Sequence, residues 1–281
     1  MAGRSQRGGE PVAIVRRGPS RRRARALSRL EALLVPALLL GAWQALAGLG
    51  ALPDFLVSPR IIARQLWELA AGGELGIHVR ASLIRSLGGM ALGAIFGVGL
   101  GLLSGVSRRA AEFFDPLISL TYPVPKVALL PVLIVWFGIS ETSKIALIAI
   151  SCFYPCFIAA MYGVRSVDPL WVWAAQNMGA RPRQTFFRVI VPGAAPQIVS
   201  GLRVALALAF ILMVTSEMIG SSNRTGLGFL ILAADAGGRF DLMFASVTVI
   251  ACLGFAADRA LLWARRRLLA GQVAAEEAAL A

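Results

Sequence analysis

Charge is scarce in this chain of 281 residues. Asp, Glu, Lys and Arg together make up 15% of it, where a soluble domain carries roughly a quarter. Hydrophobic residues reach 57% and the mean hydropathy is +0.72. Those values exclude an ordinary water-soluble enzyme and predict membrane spans of about twenty apolar residues each. Cysteine is nearly missing too: three residues without paired spacing offer neither a disulfide framework nor a zinc site. Cys152 and Cys156 stand one helical turn apart and read as small hydrophobes. The single histidine, His78, leaves no histidine pair for a metal and is expected in an outer loop without a specific role. There is no phosphate-binding glycine loop ending in GKS or GKT, and no nucleophile elbow. No catalytic residue, metal or cofactor is therefore expected. Any work this chain does must draw on an ion gradient or on another subunit.

What the chain does have is long apolar runs, arginine and glycine. The net charge is +13, with arginine at 26 of the 28 basic positions. In a soluble protein such a charge points to nucleic acid. Here the arginines flank hydrophobic runs, so membrane topology explains them and no nucleic acid is implied. Residues 1–29, with nine arginines, read as a disordered basic tail. Residues 30–268 read as one all-α transmembrane domain of about six helices, and residues 269–281 as a second tail. The spans fall near 30–50, 82–106, 113–137, 143–163, 194–219 and 241–263. The third is interrupted by Pro123, Pro125, Lys126 and Pro131. Such breaks are tolerated at membrane depth only where protein or a water-filled cavity covers the freed backbone. Segment 59–76 is too polar to span and is expected to form a short amphipathic helix around Ile61, Ile62, Leu66 and Leu69.

Six spans put both termini on one side. That side collects 18 basic residues and the other 6, which places the termini and the 168–196 segment in the cytoplasm. An alternative start is a cleaved signal peptide ending at Ala45-Leu46-Ala47. The apolar run continues through that site, and a retained first span agrees with the charge bias. Ser20-Arg21-Arg22 lacks the rest of a twin-arginine signal. Asn223-Arg224-Thr225 matches a glycosylation acceptor that is common by chance.

Gly89, Gly93, Gly97, Gly101 and Gly105 recur every fourth residue through the second span. This small-residue face lets another helix approach closely. It can serve static packing or a helix that moves against its neighbour, and close approach alone accounts for the pattern. Ionisable residues within spans cost about 2.5–3.5 kcal/mol at mid-helix. Lys126, Arg203 and Glu217 are accordingly the candidates for lining a pathway. Arg203 and Glu217 also lie near enough to an interface to snorkel or cap.

The segment from Asp168 to Pro196 is a polar, arginine-bearing insert between the fourth and fifth spans. Asp168 suits an N-cap, Pro169 the first helical position and Gly179 the residue just past the end. Trp171, Ala174, Ala175 and Met178 fall at i, i+3, i+4 and i+7, giving one apolar face. A second short helix is expected from Pro182, exposing Phe186, Phe187 and Ile190 and stopping before Pro192. An apolar-faced helical pair held in water calls for a partner to dock on.

Ala174-Ala175, three residues, Gly179, nine residues, Val189, one residue and Val191-Pro192 resemble the EAA loop of inner-membrane permease subunits of bacterial ABC importers. That pattern reads E-A-A-x3-G-x9-I-x-L-P, and Trp173 stands where it has Glu. The resemblance extends over residues 30–268. It includes PVPKVALLPVLIVWFG (123–138), GVRSVDP (163–169) and SEMIG (216–220), which look like the sulfonate/nitrate/taurine branch. It implies a multi-pass bacterial inner-membrane protein with no chemistry of its own. Two permease subunits, expected as a homodimer in the lipid bilayer, would form the pore. A cytoplasmic ATP-binding cassette ATPase would receive Trp171, Ala174, Ala175 and Met178, with Gly179 and Pro192 shaping the loop. A periplasmic or lipid-anchored binding protein would deliver a small organic anion near 51–80 and 221–240. Alkyl or aryl sulfonates, taurine or nitrate are implied, with pyrimidine vitamin precursors or bicarbonate as further choices. Two other classes stay open at this point. An ion-gradient-driven secondary transporter would need acidic relays and a repeat; a membrane scaffold would use the insert merely to hold a partner.

Overall fold

The computed structural model describes residues 21–51, 53, 55–220 and 224–268. Among them there is no strand, and the chain divides at Pro59 into two compact units. The first holds helix α1, Arg21–Gly48. This helix begins inside the stretch expected to be a disordered tail. Its described apolar part, Leu34–Gly48, is shorter than the other spans. Residues 1–20 and the expected tail 269–281 lie outside the described residues.

The second unit is a helical bundle. Its elements are α2 (Pro59–Ala71), α3 (Glu74–Val106), α4 (Arg108–Thr121), a 3-10 turn (Lys126–Leu129) and α5 (Leu130–Phe137). Then come α6 (Glu141–Arg165), α7 (Pro169–Asn177), α8 (Pro182–Thr185), a π turn (Phe186–Ile190) and α9 (Val191–Ile219). Helices α10 (Leu227–Ala236) and α11 (Phe240–Leu268) close it. Four helices are long and apolar enough to cross a membrane: α3, α6, the helix running on from α8 through α9, and α11. The pair made of α4 and the 126–137 segment passes the same test as one broken span, which makes five.

Helix α6 is the axis of the bundle. Half of its most apolar stretch is buried, against 17% for α11, which lies at the edge. The glycine face of α3 packs along it. A Cβ at Gly93 would stand 2.5 Å from the Ala149 carbonyl and 2.8 Å from Cys152 Cβ; one at Gly97 would stand 2.6 Å from the Phe153 carbonyl. Gly89, Gly101 and Gly105 meet Ile148, Ala160 and Val164 in the same way. Partner numbers rise in step with the glycine numbers, so α3 and α6 run parallel with their backbones nearly touching. Cys152 and Cys156 are fully buried in this seam, and the Cys152 thiol donates to the Ala205 carbonyl at 3.3 Å. On its other side α6 meets α9 antiparallel, with Gly201 against Pro155 and Ala159, and Gly163 against Ala194. Leu130, Leu133, Leu147, Ile148, Phe210 and Met213 fill the core between α5, α6 and α9.

The broken span has a local cause. Pro123 and Pro125 cannot donate backbone hydrogen bonds, so α4 cannot be continued, and the chain turns by 90° into the 126–137 segment. The carbonyls of Thr121, Tyr122 and Val124 at this break accept from Lys126 Nζ at 2.9, 2.8 and 2.8 Å. A cation at a helix C-terminus is favoured by the dipole as well.

Candidate functional site

The insert forms largely as its local signals dictate. Asp168 caps α7 by accepting from Leu170 N–H at 2.8 Å, and Pro169 follows it. At the other end the Ala180 N–H bonds the Ala175 carbonyl and the Gly179 N–H bonds that of Gln176. This is the glycine-terminated double bond of a Schellman motif, with Gly179 at φ +81°. Trp171, Trp173 and Met178 are 60%, 59% and 81% exposed, and Ala174 is exposed beside them. Ala175 differs: it is turned inward and buried by the chain itself. The expected common face of Trp171, Ala174, Ala175 and Met178 is thus divided, with Ala175 on the supporting side.

The second helix does not stop before Pro192. From Pro182 to Ile219 the chain is one helix of 38 residues. A prolyl ring inside a helix crowds the carbonyl four residues earlier and leaves it without a donor. Here the turn preceding Pro192 is widened to a π turn, in which Val191 N–H reaches back to the Phe186 carbonyl. That widening lets the helix pass the proline.

The opposite end of the bundle holds a buried charge network that joins three helices. Arg85 on α3 is fully buried. Its guanidinium is ion-paired with Glu141 on α6 through Nε, and Nη2 donates to the same carboxylate at 2.6 Å. Nη1 donates to Glu217 on α9 at 2.6 Å and to the Thr225 carbonyl at 2.8 Å. Glu217 accepts further from Ser82 Oγ at 2.9 Å and from Gly228 N–H at 2.8 Å. Ser82 Oγ in turn accepts from Leu227 N–H at 2.9 Å, and His78 Nδ1 lies 3.0 Å from Gly226 N. A Cβ at Gly226 would lie 2.5 Å from Arg85 Nη1, so only glycine fits between the pair and the turn. Lys144, one turn beyond Glu141, is buried beside this network. A cavity of about 520 Å³ opens next to it, with Arg80, Arg85, Glu141 and Thr225 in its walls.

Glu217 is therefore enclosed and paired. His78 lies inside α3, not in a loop, and holds the turn at Gly226. Arg203 makes a two-bond ion pair with Asp258 of α11, at 2.6 and 3.2 Å. Lys126 sits at the 90° break with Nζ 4.2 Å from the centre of the Tyr154 ring. Sequence reasoning passed over Arg85, Glu141 and Asp258. Arg85 could have been found from its spacing: it stands one turn before Gly89, on the same face as the glycine series.

Residues 93–270 match the family of binding-protein-dependent transport system inner membrane components. The chain belongs to that family. A putative aliphatic sulfonates transport permease protein of Bacillus subtilis is 34% identical over 256 residues, covering 91% of each chain. The taurine transport system permease protein of Escherichia coli is 36% identical over 238 residues, covering 83% of this chain and 86% of that one. Among solved structures, the inward-facing MetNI methionine ABC transporter aligns with a TM-score of 0.57 at 19% identity. That alignment covers 70% of this chain and 95% of the other and shows a shared fold. The protein is an all-α, multi-pass inner-membrane permease subunit of an ABC importer. It is not itself an enzyme. An ATPase partner and a substrate-binding protein go with membership of this family. The match sets aside the secondary transporter and the scaffold.

Proposed function

We propose that two copies of this chain form the pore of an importer for a small organic anion of the sulfonate and taurine class. The observation that carries this reading is the bare aromatic surface of α7, held rigid by the Asp168 cap and the Gly179 turn. Large apolar side chains in water at the tip of a membrane protein are a docking surface. Helix-in-groove docking onto the cytoplasmic ATPase uses Trp171, Trp173, Ala174 and Met178, while Ala175 seats α7 on its support. The loop end, with the termini, faces the cytoplasm, in line with the distribution of arginine. The Arg85 end then faces the periplasmic or lipid-anchored binding protein, with the cavity of about 520 Å³ as the receiving mouth. Of the three ionisable residues that the sequence picks out, Lys126 lies on the pathway; Arg203 and Glu217 hold helices together through Asp258 and Arg85. The sulfonate class is supported by the Bacillus and Escherichia relatives at 34% and 36% identity.

The test is reconstitution with the ATPase and the binding protein. Gly179→Pro removes the N–H that bonds Gln176 and forbids φ +81°. It is expected to abolish transport and ATPase co-purification while leaving membrane insertion intact. An ATPase retained at the wild-type level by that variant would overturn the docking role. A binding protein that prefers a sugar or a peptide would overturn the substrate class.

A further inference from the structure

We infer that the cavity at the break between α4 and α5 is a transit site for the anionic group of the substrate, with the Lys126 ammonium as its counter-charge and the Tyr154 hydroxyl as its donor. The inference rests on the proposed sulfonate reading and adds the place and the group that meet the anion. The cavity measures about 400 Å³ and lies between the broken span, α6 and α9. Lys126, Tyr122 and Tyr154 form one side of it, and Leu208, Ile211 and Leu212 the other. A charged head with a short alkyl tail matches that division.

Lys126 is a span cation without an ion-paired carboxylate among the described residues; Lys144 is another, but it is enclosed beside Arg85 and does not line this cavity. Arg85 is ion-paired with Glu141 and Glu217, and Arg203 with Asp258. Among the described residues no carboxylate lies within ion-pairing distance of Lys126. Its three donors are taken by the carbonyls of Thr121, Tyr122 and Val124, so it offers a passing ligand charge and no hydrogen bond. The donor must come from elsewhere. The rings of Tyr122 and Tyr154 stand 6.0 Å apart around the ammonium, and the Tyr154 hydroxyl has no partner among the described residues. The three carbonyls also carry partial negative charge at the end of α4. They offset part of the ammonium's charge, which suits a site that an anion must leave as readily as it enters.

Thiol accessibility in the purified importer complex tests this without relying on transport. Cys152 and Cys156 are buried and Cys252 is exposed. In a Cys252→Ala background, Leu208→Cys therefore places one reachable thiol on the cavity wall, with Ile211→Cys as the substitute should that variant fold poorly. The probes are the anionic 2-sulfonatoethyl and the cationic 2-trimethylammonioethyl methanethiosulfonates. With Lys126 present, the anionic probe is expected to react about tenfold faster than the cationic one, the lower end of charge focusing in a low-dielectric cleft. Lys126→Gln should abolish that preference and Lys126→Arg restore it, and excess alkanesulfonate should protect the thiol. A rate ratio unchanged by Lys126→Gln, or a thiol that neither probe reaches, overturns the transit site. If the wild-type complex transports sulfonate while the ratio is unchanged, only this inference falls. If the ratio responds but no sulfonate is transported, the substrate reading falls.

Discussion

The two ends of the bundle handle costly groups in opposite ways. At one end Arg85, Glu217 and Lys144 bring charge out of water, and the buried Glu217 and the partly exposed Glu141 close onto a single guanidinium. At the other end Trp171, Trp173, Met178 and Phe187 leave apolar surface that no described residue of the chain covers. The first arrangement pairs Arg85 with two carboxylates of its own chain, leaves the buried Lys144 Nζ without a hydrogen bond among the described residues, and holds α3, α6 and α9 together. The second is an open apolar surface, the one proposed above as the docking face for the ATPase. Removing a partner from the closed end leaves buried donors unmatched, whereas trimming the open end leaves the fold as it was.

Substitutions can break that contrast, and the largest effect on stability belongs to the closed end. Glu217→Ala leaves Arg85 with Glu141 alone and removes the acceptor of Arg85 Nη1, Ser82 Oγ and Gly228 N–H; losing one partner of a buried pair costs up to about 3–5 kcal/mol. The expected outcome is a collapse in the yield of monodisperse protein extracted in detergent. A Glu217→Ala protein that unfolds at the wild-type temperature would show that the network does not hold the bundle. Next comes the seam between the two ends. Gly93→Ala pushes a methyl group to 2.5 Å from the Ala149 carbonyl. Overpacking of this kind costs about 1–3 kcal/mol, read as a lower midpoint in thermal unfolding, whereas Gly99→Ala, where nothing lies within 4 Å, should leave the midpoint in place. Smaller again is Asp168→Ala, which removes the cap of α7 at about 1 kcal/mol and should show as faster local amide exchange in α7 alone. Smallest of all is Trp173→Ala, within about 0.5 kcal/mol on stability. It should nonetheless weaken ATPase co-purification, and that separation of folding from function is the sharpest expression of the contrast.

The open end was the more legible of the two in the sequence. Its cap, first-turn proline and C-terminal glycine act over three to five residues, so local chemistry decides them. The inward turn of Ala175 was hidden, because it depends on how α7 rests on the segment after Gly179. Pro192 misled for a related reason: a proline reads as a stop, and only the π turn ahead of it lets the helix continue. The closed end was legible in its parts but not in its pairing. Arg85 and Glu217 stand 132 residues apart, and Arg203 and Asp258 stand 55 apart. Nothing local says which carboxylate a buried arginine meets. The glycine repeat lies between these cases. Its meaning as a close-packing face was plain, while its partner was not, although Cys152, Cys156 and Ala160 repeat on α6 at the same interval.

The helix that begins at Pro182 ends at Ile219. At about 1.5 Å per residue its 38 residues measure roughly 57 Å, nearly twice the about 30 Å of a bilayer's hydrocarbon. One end emerges from the docking loop, and the other carries Glu217 into the Arg85 pair. Everything that softens it, the π turn with Pro192 and Pro196, is gathered near the loop. Beyond Pro196 the helix carries no further proline. On the docking role proposed above, a partner pulling on the loop would work a crank with its universal joint at the driven end, and the load would reach the other end of the helix at Glu217.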